Sequence, residues 1–496
     1  MESFLTLKNA APAASVYAQA EAVVLLLCRE CLPALDAIEL PQDLQEAVRY
    51  AVAKDPEVTA KGHVTELVLP REGGFTRLIL AGSGAGRECT PIHMRQAAGN
   101  AVRALVKGKA AEAVVAGPVL LKATRAHYLK AVAEGLLLGS YRFDKYKSEK
   151  KTPAPLSIRI VNGVDGAGAV LQEAETVAAA VCHARDLVNE PGNIVTPELL
   201  VEDAEETASR CGMEVEVLTE TEMRQKGMHA LLAVGAGSIH PPRLVTLRYR
   251  GAGDAPFLAF VGKGITFDSG GISLKPDAGM GEMKDDMTGA AAVLGAMQAI
   301  AALHLKVNVL GILACAENMP SGSAQRPGDI IQAANGKTIE VVSTDAEGRM
   351  VLADGVWYAG EKGASEVVDI ATLTGAVIIA LGEEVSGIVA NDDKLAAAIQ
   401  AAGHRAGEAW WQLPLFEGAD EMIESTCADV KNSAGRPAGT ITGGAFIGAF
   451  VKPGLPWAHL DIGGTSTAKK TKGFIVEGGT AFGTATLIEY AKSRQA

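Results

Sequence analysis

Aromatic residues are scarce in this chain of 496 residues, at 5% of the total. Long apolar runs are missing as well. The apolar run nearest the N-terminus, Val23 to Cys28, is short and follows Glu21. No stretch reaches the ~18 consecutive apolar residues that a membrane helix requires. The expectation is therefore no signal peptide and no membrane span. Positive charge is not in excess either. The net charge of −12 argues against a general nucleic-acid surface, which needs clustered Lys and Arg. The seven cysteines (28, 31, 89, 182, 211, 315 and 427) are scattered and odd in number. They read as thiols of a reducing compartment, with a cytoplasmic location as the default. Cys28 and Cys31 form a lone CxxC with no second pair, so it reads as part of a helix rather than as a zinc or redox site. The final residues "KSRQA" are not a peroxisomal address.

The length exceeds that of one ordinary domain, so two are expected. Hydrophobic content of 48% and charged content of 21% fit a soluble globular protein with a large core. Alanine and 55 glycines take the place of aromatics, which suits close helix–sheet packing and many turns.

The first 165 residues or so alternate between strand and helix patterns. "TELVLP", "TRLILAG" and "EAVVAGP" read as strands. "PIHMRQAAGNAVRALVKG" and "RAHYLKAVAEGLLLG" have helical spacing. "DKYKSEKKTPAP" (144–155) reads as an exposed connection. After the strand "LSIRIV", the stretch "LQEAETVAAAVCHARDLVNEPGN" predicts a long helix ended by Pro191 and Gly192. These patterns give an N-terminal α/β domain over 1–165, a linker helix over 166–186 and a larger domain over 187–496. In the latter, "LVTLRYR", "FLAFVGKGITF", "VNVLGILACAE", "TIEVVST" and "EVVDIATLTG" are buried strands with helical stretches between most of them. The fold class is α/β, with a mostly parallel or mixed sheet covered by helices on both faces. The glycine runs "GSGAG" (82–86) and "GKGITFDSGG" (262–271) invite a dinucleotide reading, but neither is GxGxxG and neither opens a helix directly.

Charged residues collect where two of these strands end. Lys263 lies between two glycines, and Asp268 follows five residues on. Lys275 comes seven later, and Asp285 and Asp286 precede the apolar stretch "MTGAAAVLGAMQAIAAL", with Asp286 expected in a helix's first turn. After "VVST" come Asp345, Glu347 and Arg349, with Asp354 farther along a helix as a structural residue. Each has an ordinary reading: a solvated lysine, an acid favouring a helix N-terminus, a turn former. Together they are harder to dismiss. In a mainly parallel sheet, functional groups gather at the carboxyl ends of strands. Four carboxylates in one crevice raise each other's pKa, and divalent cations remove that conflict. A two-metal site of that kind is a hydrolytic device. A lysine fits as a neutral amine donor if a dication depresses its pKa. The competing reading of Lys263, a Schiff-base nucleophile, does not call for four carboxylates.

At this point "VGKGITFDSGG", "MKDDMTGAAAV" and "STDAEGRM" resemble the signature of the leucyl aminopeptidases, the cytosolic dinuclear-metal family that includes bacterial aminopeptidase A. "ARDLVNEPGN", "AVGAGSIHPPRL", "ACAENMPSG", "DIATLTGA", "ADVKNSAGRPAGTITGGAF" and "WAHLDIGGT" are similar to its other blocks. The resemblance implies that Lys263, Asp268, Asp286 and Glu347 bind a tighter metal. Asp268, Asp345 and Glu347 bind an exchangeable one, to which Asp345 also gives its backbone carbonyl. Asp285 is not a ligand in this carry-over. Lys275 and Arg349 are the catalytic side chains, and Met283, Thr372, Leu373, Gly375 and Ala376 are substrate-pocket positions. Ser343, Met350, Thr288 and Gly463 depart from the family's usual Asn, Leu, Gly and Ala, and "STAKKTKG" after Gly463 is atypical. These departures fall on pocket shape and substrate preference, and none removes a ligand.

The implied activity is release of one N-terminal residue, apolar such as Leu or Met, from short peptides. A metal-bridging water is the nucleophile, Lys275 is the electrophile, and Arg349 holds a bicarbonate that shuttles the proton. Mn²⁺ or Zn²⁺ is implied, with Co²⁺ or Mg²⁺ at the exchangeable site. The family also implies a homohexamer, a dimer of trimers, serving peptide turnover. Other readings are Cys-Gly dipeptidase activity, a moonlighting DNA-binding role, a two-metal phosphoesterase and a catalytically silent scaffold.

Overall fold

The structure is a computed structural model. It describes the chain apart from residues 1–3, 19, 30–31, 33–34, 36–38, 72–73, 85–89, 117–125, 151 and 496. The chain divides into two compact units. One comprises residues 1–179 with 469–477, and the other 180–468 with 478–496. Among the described residues no helix is long and apolar enough to cross a membrane.

The first unit is built on a six-stranded sheet. Its spatial order is Leu5–Ala10, Leu156–Val161, Glu112–Ala116, Ala22–Cys28, Gly74–Gly84 and Val64–Arg71. All neighbours are parallel except the last pair, which forms a hairpin. The run "AVVLLLC" is wholly buried because it occupies an interior position in a sheet covered on both faces. The CxxC expectation is corrected here: Cys28 ends this strand and is disulfide-bonded, and Cys31 lies outside the described residues. "GSGAG" ends the Gly74–Gly84 strand, and its last two residues lie outside the described residues.

Helices Pro91–Lys107 and Ala126–Gly139 pack unusually close. A Cβ on Gly135 would lie 2.3 Å from the Arg95 carbonyl oxygen. The buried Arg95 and Glu134 side chains pair across that contact. The returning segment 469–477 completes this unit. Phe474 lies under the Arg95 guanidinium at 5.4 Å, and Arg103 donates to the Gly473 carbonyl.

The second unit holds an eight-stranded mixed sheet. At its centre the strand Phe257–Asp268 runs parallel to both neighbours, Asn308–Asn318 and Ala364–Ala371. Trp457–Asp461 lies parallel beyond Ala364–Ala371, and Arg243–Arg250 antiparallel beyond Asn308–Asn318. The helix Thr288–Ala302 is buried almost all round, as its alanine-rich sequence requires. Glycines let it in: a Cβ on Gly289 would lie 2.1 Å from the Ile370 oxygen, and one on Gly262 2.5 Å from the Gly289 oxygen. The "GKG" pattern thus reflects close backbone packing rather than a phosphate loop.

Two local expectations change. "TIEVVST" forms a strand only over Thr338–Glu340, and that strand belongs to a separate three-stranded sheet. Asn432 Oδ1 instead accepts from the backbone of Val342 and Ser343, replacing a strand neighbour. Asp286 does not open a helix. A 3₁₀ turn, Met280–Asp285, comes first, and the α-helix starts at Thr288. Thr288 and Thr372 hydroxyls satisfy the Asp285 and Asp286 carbonyls, so the chain can bend there.

Asp354 is fully buried in the helix Gly348–Glu361 and accepts from the backbone N–H of Leu231 at 2.9 Å and of Ala334 at 2.8 Å. Burial nevertheless pushes its pKa up to about 7. Replacing Asp354 with Ala leaves two buried donors unmet, and we expect a loss of about 2–4 kcal/mol. Denaturant midpoints of the two proteins measure it, and an unchanged midpoint would refute the structural role.

Candidate metal centre

The strand Phe257–Asp268 supplies both Lys263 and Asp268. Strict alternation would send side chains five residues apart to opposite faces. The register against Asn308–Asn318 slips by one residue between Ile265 and Asp268. That bulge turns Asp268 to the side of the sheet that Lys263 faces. Gly270 (φ +87°) and Gly271 (φ +66°) then reverse the chain in the left-handed region, bringing Lys275 back over Asp268. Glu347 arrives at the N-cap of Gly348–Glu361. Gly348 leaves room for the lysine, since a Cβ there would lie 2.6 Å from Lys263 Nζ.

Lys263 is the centre of the arrangement. Its Nζ lies 2.7 Å from Asp286 Oδ1 and 2.9 Å from Glu347 Oε1, and donates to the Thr372 carbonyl at 2.9 Å. Three donors meet three acceptors. Thr372 Oγ1 also donates to Asp286 Oδ1 at 2.7 Å. Asp268 Oδ1 accepts from Gly270 N–H and Asn318 Nδ2 at 2.9 and 2.8 Å. Lys275 Nζ bridges Asp268 Oδ2 at 2.8 Å and Asp345 Oδ1 at 2.6 Å.

Asp268, Asp286 and Glu347 are all buried, and each offers an oxygen within 4.8 Å of the others'. Asp286 Oδ2 and Glu347 Oε2 are buried with no hydrogen-bond partner among the described residues. Burial alone would discharge Lys263, but Asp286, Glu347 and Asp268 outweigh it and hold its pKa well above the usual value. Burial, reinforced by Glu347, lifts Asp268 to about 6. Burial also raises Asp286 well above the carboxylate range, despite Lys263 beside it. Glu347 is held below its usual value, because Lys263 and Lys275 overcome its burial. The acids thus crowd around too little positive charge, and two of their oxygens are unsatisfied. Carboxylate oxygens with one amine form a donor set that suits divalent metals.

Every residue given a ligand, catalytic or pocket role from the sequence lines one cavity of about 640 Å³: Lys263, Asp268, Lys275, Met283, Asp286, Asp345, Glu347, Arg349, Thr372, Leu373, Gly375 and Ala376. Asp345 stands apart from the buried acid trio and joins it through Lys275. Arg349 is half-buried, and desolvation lowers its pKa. Its Nη1 donates to the Asn432 carbonyl at 2.9 Å, while its Nε has no partner among the described residues.

The sequence reading passed over Asp461 and gave Asp285 and Ser466 no role in the site. Asp461 ends the strand Trp457–Asp461 and accepts from the backbone N–H of Leu373 and Thr374 and from Thr374 Oγ1 at 2.6 Å. It therefore shapes the loop that carries Thr372. Its place in "WAHLDIGGT" was the available signal. Asp285 and Ser466 line the cavity too, joined by a hydrogen bond of 3.1 Å.

Comparison with known proteins accords with this geometry. Residues 182–488 match the model of the cytosol aminopeptidase family catalytic domain, and residues 23–150 match that family's N-terminal domain. A probable cytosol aminopeptidase of Geobacter sulfurreducens is 43% identical over 95% of this chain and 96% of its own. One of Syntrophotalea carbinolica is 47% identical over 83% of this chain and 85% of its own. Among solved structures, a mutant tomato leucine aminopeptidase superposes with TM-score 0.88 at 32% identity, covering 99% of this chain and 97% of that one. The bottromycin maturation enzyme BotP in complex with Mn superposes with TM-score 0.84 at 34% identity, covering 96% and 100%. The chain belongs to the cytosol aminopeptidase family and is a metal-dependent aminopeptidase, a hydrolase of the exopeptidase kind.

Proposed function

We propose that the chain releases the N-terminal residue of short peptides at a centre for two divalent ions, carried by the domain from residue 187 onward. The observation that carries this reading is the Lys263 amine set among three buried acids, two of whose oxygens lack partners. Lys263, Asp268, Asp286 and Glu347 would hold the tighter ion. Asp268, Asp345 and Glu347 would hold the exchangeable one. Mn²⁺ or Zn²⁺ suits the donors, with Co²⁺ or Mg²⁺ possible at the second position. Such ions, when bound, supply an acidified water and a Lewis acid for the scissile carbonyl.

The chain's own residues do the rest. Lys275 is only partly exposed, and its ammonium is tethered by Asp268 and Asp345. Both acids favour its charged form against burial. It is therefore a fixed cation suited to stabilising the oxyanion that develops on the substrate. No histidine lines the cavity among the described residues, and the acids around Lys263 and Lys275 are committed to cations, so none of these four is free to act as a general base. Arg349, anchored through Nη1 with its Nε unpaired, presents N–H donors for a small planar anion. In this reading Arg349 holds a bicarbonate as the proton acceptor. Met283, Leu373 and Ala376, with Thr372 and Gly375, offer surface for an apolar side chain such as that of Leu or Met. The motif resemblance further supports a cytoplasmic homohexamer, a dimer of trimers with the sites facing an interior cavity.

Chelation is expected to abolish activity and Mn²⁺ to restore it. Elemental analysis of Asp345→Ala should find one tightly held ion per chain where the parent holds two. Two tightly held ions in the variant would contradict the assignment.

Lys275→Ala should lower kcat by about 10²–10³-fold, as for loss of an oxyanion donor, with metal content unchanged. Unaltered turnover in a fully loaded variant would remove Lys275 from the mechanism.

Light scattering should give a species near six times 51.3 kDa, and hydrolysis should fall steeply with peptide length. A fully active monomer would overturn the assembly.

A further inference from the structure

One wall of the cavity carries an acid that the metal centre does not use. Asp285 precedes Asp286 but sits outside the trio of acids grouped around Lys263. Its Oδ2 accepts from Ser466 Oγ at 3.1 Å. Ser466 is 3% exposed and firmly placed: its N–H donates to the Ile462 carbonyl, and its own carbonyl accepts from Thr480 N–H and Thr480 Oγ1. The wall is continuous. Thr372 bonds Asp286, and a Cβ on Gly463 would lie 2.7 Å from the Thr374 carbonyl oxygen. Met283, Asp285, Thr372, Ala376, Gly463 and Ser466 thus belong to one side, close to the Lys263 end of the centre.

This carboxylate has no cation of its own. The three donors of Lys263 are taken by Asp286, Glu347 and the Thr372 carbonyl. Lys275 is held by Asp268 and Asp345. Arg349 donates to Asn432. Arg436, also lining the cavity, is exposed and makes no ion pair with any acid among the described residues. A wholly apolar side chain lodged against this wall would strip water from Asp285 and return nothing. A side chain with an aliphatic stem and a cationic head would lay its methylenes along Met283 and Ala376 and place its donors on Asp285.

We infer that Asp285, oriented by Ser466, is a specificity-determining residue that makes peptides with N-terminal Lys or Arg better substrates than those with an apolar residue of the same length. The inference rests on the aminopeptidase reading above and replaces the apolar side chain proposed there with a basic one at the same site.

The test pairs L-lysine with L-norleucine p-nitroanilide, which share a leaving group and differ at the side-chain terminus. With Mn²⁺-loaded protein, kcat/KM for the lysine substrate should exceed that for norleucine by about 10-fold or more, the worth of a hydrogen bond to a charged group. Asp285→Asn should lower the lysine value about 10–100-fold and leave norleucine within about 3-fold, with metal content checked by elemental analysis. Ser466→Ala should reduce the lysine-to-norleucine ratio in the same direction. Norleucine equal to or better than lysine in the parent, or an equal fall for both substrates in fully loaded Asp285→Asn, would overturn the inference. Should Asp285→Asn shed metal, protection of the parent against thermal unfolding decides. Stronger protection by L-lysine than by L-norleucine supports the inference, and equal protection overturns it. Hydrolysis of neither anilide by loaded protein would sink the aminopeptidase reading, while the protection experiment would still report on the pocket.

Discussion

The Lys263 ammonium, shared by Asp286 and Glu347 and flanked by Asp268, is the interaction on which the second unit's design turns. Bringing three carboxylates below the surface is strongly unfavourable unless positive charge accompanies them. One lysine is not enough, as the raised Asp268 and Asp286 pKa values and the two orphan oxygens attest. Much nearby geometry serves to keep these groups together. Gly348 clears space for the lysine tail, the Thr372 carbonyl takes its third proton, and Asp461 fixes the loop from which that carbonyl projects.

The grouping of the site residues was legible in the sequence because it is written in residue types at fixed spacing. Lys263, Asp268, Lys275, Asp286, Asp345, Glu347 and Arg349 were named from such spacing and from motif resemblance, and all line one cavity. The α/β class followed from alternating apolar runs and helical stretches. What the sequence concealed was orientation. Period-2 reasoning places Lys263 and Asp268 on opposite faces, and only the register slip against the neighbouring strand reconciles them. Nothing in "GITFDSGG" signals that slip except the glycines that follow it.

Other misses share a cause, namely side chains that satisfy the backbone in place of regular structure. "VVST" has the β-branched composition of a strand, but Asn432 takes the N–H groups of Val342 and Ser343. The bond between Thr344 N–H and Ser273 Oγ does similar work. Asp285 was named and set aside as a non-ligand, because an acid beside a ligand acid looks redundant. Its separate role depends on Ser466, 181 residues away in sequence, which no local pattern could connect.

The return of residues 469–477 to the first unit bears on how the chain is made. Gly99 and Gly473 are so close that a Cβ on Gly99 would lie 2.5 Å from the Gly473 carbonyl carbon. The partners of Arg95 and Arg103 in that segment leave the ribosome about 290 residues after the rest of the unit. At bacterial-to-eukaryotic synthesis speeds this is a wait of roughly 15–60 s. During it the groove beside Gly99 stands uncovered, with Arg95 held by Glu134 and Arg103 by Asn100 but neither yet joined to the strap. Vectorial folding of the N-terminal unit thus halts one strap short of completion, and translation of the last few dozen codons governs when its surface is sealed.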